Sequence, residues 1–227
     1  GAGMQRNEKM RLVVASGNKN KLREIAEIFT DFEVCSQKQM GFDEDVEETG
    51  ATFMENAIIK AQAASKALGI PTLADDSGLC VEALDGAPGV YSARYCGEHG
   101  KDKENRDLLL KNLDGVENRR AYFACALALV YPNGDVLTAE GRTYGNILLA
   151  EQGEGGFGYD CIFESEDLKK SFGIATAEEK NTVSHRFRAL QSLLAKWKGL
   201  RKSFLCLFVI YQAQLSPQLS LGAFLRG

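Results

Sequence analysis

Five segments of the sequence contain residue types that could bind phosphate, a metal ion or an aromatic base. The first comprises Ser16, Gly17, Asn18, Lys19, Asn20 and Lys21. It stands where a short β-branched strand runs into a helix, and a helix N-terminus offers free N–H groups and partial positive charge to an anion. The segment lacks the Gly-Lys-Ser/Thr ending of a Walker loop. It therefore predicts a phosphate site of another kind, with a plain helix cap at Asn18 as the alternative.

The second segment type is acidic and occurs at two places in the chain. The carboxylates are Glu47 with Glu48, and Asp75 with Asp76. Adjacent residues of a strand point to opposite faces, so one aspartate of the second pair can enter a cleft while the other braces the loop. Paired carboxylates near a phosphate site suit Mg²⁺, one holding the metal and one orienting or deprotonating water. An acidic loop and a turn stabilised by Ser77 are the alternative.

Two segments in the C-terminal half could form a pocket for a base. The candidates are Phe157, Gly158, Tyr159 and Asp160 in the first, and Lys180, His185 and Arg186 in the second. Glycines let the backbone approach a ligand, an aromatic ring can stack on a base, and a carboxylate can accept from the ring N–H of a 6-oxopurine. Cations in the first turn of a helix are disfavoured by its dipole unless they face an anion or an oxo group. A tight loop with core aromatics and a buried histidine are the alternatives.

Apolar periodicity and turn residues indicate the elements that position these segments. We predict strands at 11–16, 32–36, 72–74, 79–84, 121–131 and 135–147, and helices at 19–30, 52–68, 101–113 and 184–198. Lys60 lies on the second helix, where it is either a surface lysine or a cation aimed at phosphate from the inner face. Helices that alternate with a long hairpin favour a mixed α/β sheet over a regular βαβ array.

Composition excludes several classes of protein. The 27 Lys and Arg residues against 31 Asp and Glu give a net charge of −4, which argues against a nucleic-acid binder held by bulk positive charge. The longest apolar runs are shorter than the ~18 residues of a membrane-spanning helix, so we expect no membrane partner. With two histidines in the chain, a site of several histidines is excluded, and a catalytic metal would have oxygen ligands, as Mg²⁺ or Mn²⁺ has. Six cysteines without a CxxC motif are typical of reduced thiols in a cytoplasmic protein.

The two ends of the chain differ from the rest. Gly1-Ala2-Gly3 before Met4 has the form of a cleavage remnant, and we expect residues 1–10 to be such a remnant and a flexible N-terminus. Residues 200–227 form an atypical tail with a continuous apolar run at 204–211. This run either packs on the core or on a partner chain, or it is foreign to the fold and prone to aggregate.

Taken together and in this order, the segments resemble the inosine triphosphatase-like purine nucleoside triphosphate pyrophosphatases. The matching motifs are Ser16-x-Asn18-x-x-Lys21, EETGATFMENAIIKA (47–61), ADDSGL (74–79), DGAPGVYSARY (85–95), GGFGYD (155–160) and EEKNTVSHR (178–186). The resemblance implies a mixed α/β sheet flanked by helices over residues 11–199, in two lobes with the active site in the cleft between them, and a homodimer. It also implies Mg²⁺-dependent hydrolysis of ITP, dITP and XTP to the nucleoside monophosphate and pyrophosphate, which removes deaminated purines from the nucleotide pool.

The same resemblance implies roles for the candidate residues. Ser16, Asn18 and Lys21 would contact the triphosphate with Lys60, and Ser77 would touch the substrate. Glu48, with or without Glu47, and Asp76 would hold the metal, Asp75 would support them, and Asp76 would activate water. Phe157, Gly158, Tyr159 and Asp160 would line the base with Lys180, His185 and Arg186.

This sequence departs from the family pattern at three places. Ser16 stands where the family often has threonine, Cys161 stands where proline commonly follows the Gly-Tyr-Asp run, and the segment after Gly199 has no counterpart. The alternative function is a nucleotide-binding relative that has lost turnover or acts on other nucleotides.

Overall fold

A computed structural model describes residues 10–30 and 32–215 of the chain. Its six strands are β1 (Met10–Val14), β2 (Phe32–Ser36), β3 (Thr72–Val81), β4 (Arg120–Val130), β5 (Val136–Ile147) and β6 (Phe163–Ser165). Its α-helices are α1 (Lys19–Ile28), α2 (Phe53–Leu68), α3 (Asp102–Asn112), α4 (Ala177–Lys180) and α5 (His185–Leu215). Single turns of 3₁₀-helix lie at Glu82–Leu84 and Asp160–Ile162, and a longer one lies at Gly89–Arg94.

The strands form one mixed sheet in the order β2-β1-β3-β4-β5-β6. β1 pairs in parallel with both β2 and β3, and the pairs from β3 to β6 are antiparallel. The predicted mixed α/β class and the long β4–β5 hairpin are therefore confirmed. The division into two lobes stays a prediction.

Helices cover both faces of the sheet, and the side chains of β3 alternate between them. On one face, the alanines of α2 pack on Ala74 and Ala128, where small residues allow a close approach. On the other face, α1 and α5 pack on Leu73 and Leu127. Because the side-chain period of a strand is two, Asp75 shares the face of Leu73, and Asp76 shares the face of Ala74.

Hydrogen bonds at the helix starts form three N-caps, of which the one at Asn18 was expected from the sequence. Asn18 accepts at its side chain from the N–H groups of the first turn of α1, Thr52 accepts from the third residue of α2, and Ser184 accepts from the N–H of Phe187 in α5. Gly69 ends α2 in the left-handed conformation that glycine adopts without strain. The sequence positions of these helices are therefore set by local capping.

Several predicted boundaries are wrong. β3 runs without interruption through Asp75 and Asp76, where a strand end was expected, because β4 pairs with it along its whole length, whereas β1 pairs with it at Thr72 and Leu73. Residues 82–84 are 3₁₀-helical rather than extended. Helix α5 continues to Leu215 and so includes the apolar run at 204–211, whose side chains lie outside the described part, as do residues 1–9 and 216–227. Within the described residues, no helix has the length and apolarity needed to cross a bilayer.

Candidate active site

A cleft of about 640 Å³ opens where β1, β3 and α2 meet the segment after β3. Of the predicted residues, Ser16, Gly17, Asn18, Lys21, Glu47, Glu48, Lys60, Asp76 and Ser77 line it. The opposite wall includes Val90, Ala93, Arg94 and His99. Lys19 and Asn20 lie on the first turn of α1 outside this lining, and Lys19 is exposed. The structure thus brings the predicted phosphate and acidic segments together.

The loop between β1 and α1 presents the N-terminus of α1 to the cleft. Asn18 Oδ1 accepts from the N–H groups of Asn20 and Lys21 at 3.0 and 3.3 Å, and Ser16 Oγ accepts from the N–H of Asn18 at 3.1 Å. Lys21 extends from the first turn, and its Nζ lies 2.7 Å from Asp75 Oδ1. The cap and the cation therefore occupy the same helix end, so the two readings of this segment do not exclude each other.

Two carboxylates surround the ammonium of Lys60 on the α2 face of the sheet. Lys60 Nζ lies 3.1 Å from Glu48 Oε1 and 3.7 Å from Asp76 Oδ1, and it donates to the backbone oxygen of Asp75 at 2.7 Å. Lys60 is thus an inner-face cation rather than a surface lysine. Burial raises the pKa of Asp76 to about 6, with Lys60 acting in the opposite direction and Glu48 in the same one. Asp76 Oδ2 is buried and has no hydrogen-bond partner among the described residues.

The residues present fit Mg²⁺ better than a metal that needs a full protein cage. Within residues 10–30 and 32–215, no three His, Cys, Asp or Glu side chains converge on one point. Mg²⁺ is commonly bound through one or two carboxylates together with substrate phosphates. Glu48 and Asp76 supply two carboxylates, and the unpaired Oδ2 of Asp76 is a free ligand atom. Glu47 lies beside them, is exposed, and lines the same cleft.

On the other face of β3, a buried network of alternating charges lies behind the cleft. Among the described residues its carboxylates are those of Glu24, Asp75 and Asp160, and its cations are Lys21, Lys180 and Arg186. Arg186 pairs with Glu24 and, at 3.2 Å, with Asp75, and it donates to Ser77 Oγ at 3.1 Å. Lys180 Nζ lies 2.7 Å from both Glu24 and Asp160.

This network fixes the protonation states of its members. Although burial opposes ionisation, Arg186 and Lys21 hold the pKa of Asp75 well below its usual range. Burial also opposes the charge of Lys180, but Asp160 and Glu24 raise its pKa. Asp75 is therefore an ionised anchor between two cations, with its side chain on the opposite face of the strand from that of Asp76.

The glycine-rich loop before β6 joins the network at Asp160. Asp160 Oδ2 accepts from the N–H of Phe157 at 2.9 Å as well as from Lys180, and the Phe157 ring lies 4.7 Å from Lys180 Nζ. Tyr159 is buried, and its hydroxyl donates to the backbone oxygen of Ser92 at 2.7 Å. The half-buried Phe157 is therefore more available to a ligand than the buried side chains of Tyr159 and Asp160.

His185 is buried at the start of α5, where its ring stacks on Phe123 at 5.0 Å. Burial, with Arg186 beside it, lowers the pKa of His185 well below its usual range, so the imidazole is uncharged. Its Nδ1 has no hydrogen-bond partner among the described residues. α5 can lie this close to the sheet because Gly141 of β5 has no side chain, and a Cβ there would lie 2.3 Å from the backbone oxygen of His185.

Sequence reasoning missed two buried members of the site. Glu24 stands three residues after Lys21 on the inner face of α1, a spacing that places the two side chains on one helix face and could have signalled its role. Cys125 donates from its thiol to Asp75 Oδ2 at 2.8 Å, and this contact depends on strand pairing that no local pattern shows. Arg94 and His99 of the far cleft wall were also missed.

The chain matches known proteins over most of its length. The model of the Ham1 family matches residues 12–196. A dITP/XTP pyrophosphatase of Clostridium perfringens is 45% identical over 202 residues, which cover 85% of this chain and 99% of that protein. A dITP/XTP pyrophosphatase of Bacillus anthracis is 49% identical over 191 residues, which cover 82% of this chain and 95% of that protein. The structure of the Ham1 protein of Staphylococcus aureus is similar with a TM-score of 0.76 and 43% identity, covering 83% of this chain and 98% of that one.

Proposed function

Because this chain belongs to the Ham1 family, we propose that it hydrolyses dITP, XTP and ITP to the nucleoside monophosphate and pyrophosphate with Mg²⁺. The relatives named as dITP/XTP pyrophosphatases support this substrate class, and the chain is an enzyme of the nucleoside triphosphate pyrophosphatase type. The reaction removes deaminated purines from the nucleotide pool. An enzyme with this task acts in the cytoplasm, and the homodimeric state that the resemblance implies is part of the proposal.

The observation that carries the proposal is the environment of Asp76. Its carboxylate is buried in a cleft next to two lysines and a helix N-terminus, with one oxygen unpaired and a pKa raised to about 6. A general base works best when its pKa lies near the operating pH. We assign to the carboxylate of Asp76 the removal of the proton from the attacking water.

The phosphate chain is bound by residues of both sides of the cleft. Lys21 and Lys60 supply full positive charge, and the N-terminus of α1 adds the partial positive charge of the helix dipole. Glu48 and Asp76 would hold Mg²⁺, with Glu47 beside them, and the bound ion would offset charge on the phosphate oxygens. Asp75 fixes the position of Lys21 from behind the strand.

We assign discrimination among bases to Phe157 and to the adjacent residues Lys180, His185 and Arg186. In this proposal the ring of Phe157 stacks on the purine, and the positive charge of Lys180 and Arg186 nearby favours a 6-oxo group on the base. The neutral His185 has an unpaired ring nitrogen. A 6-amino group would bring donors to a place where this positive charge favours an acceptor, which disfavours ATP.

Pyrophosphate release from dITP, measured for wild type, Asp76→Asn and Asp114→Asn, tests this proposal. Asp114→Asn is the control, because Asp114 is an exposed aspartate outside the cleft. We expect Asp76→Asn to lower kcat at least about a hundredfold, the scale of a lost general base. Binding of the α,β-methylene analogue of dITP, measured by calorimetry, should stay within about tenfold. A wild type that binds the analogue and releases no pyrophosphate would favour the alternative of a binding protein without turnover.

A further inference from the structure

Helix α3 holds the glycine-rich loop through two side chains that the proposed chemistry does not use. Gly158 donates its N–H to Asp102 Oδ2 at 3.1 Å, and its backbone oxygen accepts from Arg106 Nη1 at 2.8 Å. Asp102 and Arg106 are four residues apart, so they lie on the same face of α3. One pair of side chains thus binds both backbone polar groups of a single loop residue. We refer to Asp102 and Arg106 as the α3 pair.

Gly158 is a residue whose conformation needs external support. Its φ of +59° lies in the left-handed region, and a glycine backbone has more freedom than that of any other residue. It separates Phe157, whose ring lies over Lys180, from the buried Tyr159. The direction in which Phe157 leaves the loop therefore depends on how the Gly158 peptide groups are held.

The α3 pair is itself fixed to the cleft wall and to a neighbouring loop. Asn105, which lies between its two members and is 2% exposed, donates to the backbone oxygen of Ala93 and accepts from the N–H of Cys96. Arg106 Nε also donates to Glu151 at 2.8 Å, which restricts the guanidinium. α3 therefore connects the cleft wall at Ala93 with the loop at Gly158.

We propose that Asp102 and Arg106 are positioning residues for base recognition, which act by fixing Gly158 and through it Phe157. The proposal rests on the proposed function, since it assigns the loop to the base. It predicts that loss of the pair weakens binding of the nucleoside half of the substrate and leaves binding of the pyrophosphate half unchanged.

Kinetics of Arg106→Ala, with Lys103→Ala as the matched control, test this division. Lys103 lies on the same helix and makes an exposed ion pair with Asp107 at 3.2 Å, so its loss controls for the stability of α3. For Arg106→Ala we expect the KM for dITP to rise about tenfold, equivalent to about 1.4 kcal/mol, with kcat within about threefold. Inhibition by inorganic pyrophosphate should stay within about twofold of wild type. Arg106→Lys should recover only part of the KM, because a lysine ammonium does not reproduce the planar guanidinium that binds both Gly158 and Glu151. A parallel loss of dITP and pyrophosphate binding, or an unchanged KM, would overturn the proposal.

Amide hydrogen exchange over residues 155–160 in the ligand-free protein separates this proposal from the proposed function. Exchange should increase in Asp102→Ala and Arg106→Ala and stay at the wild-type level in Lys103→Ala. Unchanged exchange in the first two variants would show that the α3 pair does not hold the loop. If the wild type releases no pyrophosphate from dITP, the proposed function fails, whereas the exchange experiment still decides whether the pair fixes Gly158.

Discussion

Replacement of Glu24 by glutamine should destabilise the fold by about 3 kcal/mol at neutral pH. Glu24 is 4% exposed and pairs with both Lys180 and Arg186. Glutamine has nearly the same shape as the protonated acid, so the variant removes the charge and keeps the volume. Two buried cations then lose a shared partner, and breaking a buried pair from one side typically costs about 3–5 kcal/mol.

The proton affinity of Glu24 gives a separate measure of the same interaction. Burial opposes ionisation, but Arg186 and Lys180 lower the pKa of Glu24 from 4.5 to about 2. Each tenfold change in proton affinity corresponds to about 1.4 kcal/mol, so the ionised carboxylate contributes about 3 kcal/mol. Because the folded-state pKa is depressed, this contribution is complete above the unfolded pKa of 4.5 and is lost as the pH falls towards 2. The difference between wild type and variant should therefore shrink by about 1 kcal/mol between pH 7 and pH 4.

Urea unfolding followed by circular dichroism at pH 7, 5 and 4 measures these differences. Glu27→Gln is the matched control, because Glu27 lies on the same helix, is exposed, and keeps an acceptor for Asn181 after the change. The control should lose less than about 0.5 kcal/mol. A loss below about 1 kcal/mol for Glu24→Gln at pH 7, or a difference that does not vary with pH, would refute the assignment of Glu24 as the shared anion.

Two further variants test how the site is built. Gly141→Ala should destabilise the fold by about 2 kcal/mol or more, because a Cβ there would lie 2.3 Å from a backbone oxygen of α5. Gly17→Ala is the control, since a Cβ at Gly17 would have no atom of the described residues within 4 Å. Equal melting temperatures of the two variants would contradict the close packing of α5. Cys125→Ala should lower stability by about 1–3 kcal/mol, because Asp75 Oδ2 loses one of its two donors among the described residues and keeps only Arg186 Nε. Cys125→Ser should lose less, and the reverse order in urea unfolding would show that packing outweighs the hydrogen bond.

Local sequence patterns predicted the site residues that line the cleft in the first third of the chain. The segment from Ser16 to Lys21, the pair Glu48 and Lys60, and Asp76 line one cleft, as their residue types and order indicated. Asn18 follows from a helix cap and Asp76 from strand alternation, and both are visible in sequence, whereas the sequence left open whether Lys60 faces inward. The motif order that resembled a known family was confirmed by the match to the Ham1 model.

Contacts between distant segments could not be predicted in the same way. The link from Lys180 to Glu24 spans 156 positions, and that from Arg186 to Glu24 spans 162, so they depend on the completed fold. The expected strand end at Asp75 was wrong because pairing with β4 outweighs the low strand propensity of aspartate. The loop before Cys161 is likewise held by a distant element, through the contacts of Asp102 and Arg106 in α3 with Gly158.

The most direct test of the account is pyrophosphate release from dITP, XTP, dGTP, dATP and dUTP with Mg²⁺, for wild type beside Asp76→Asn. The account predicts release from dITP and XTP at least about a hundredfold faster than from dATP, which has a 6-amino group, and from dUTP, which is not a purine, with loss of this activity in the variant. Comparable rates on dATP or dUTP would contradict the base pocket at Phe157 and His185. The absence of release from both dITP and XTP would contradict the proposed function itself.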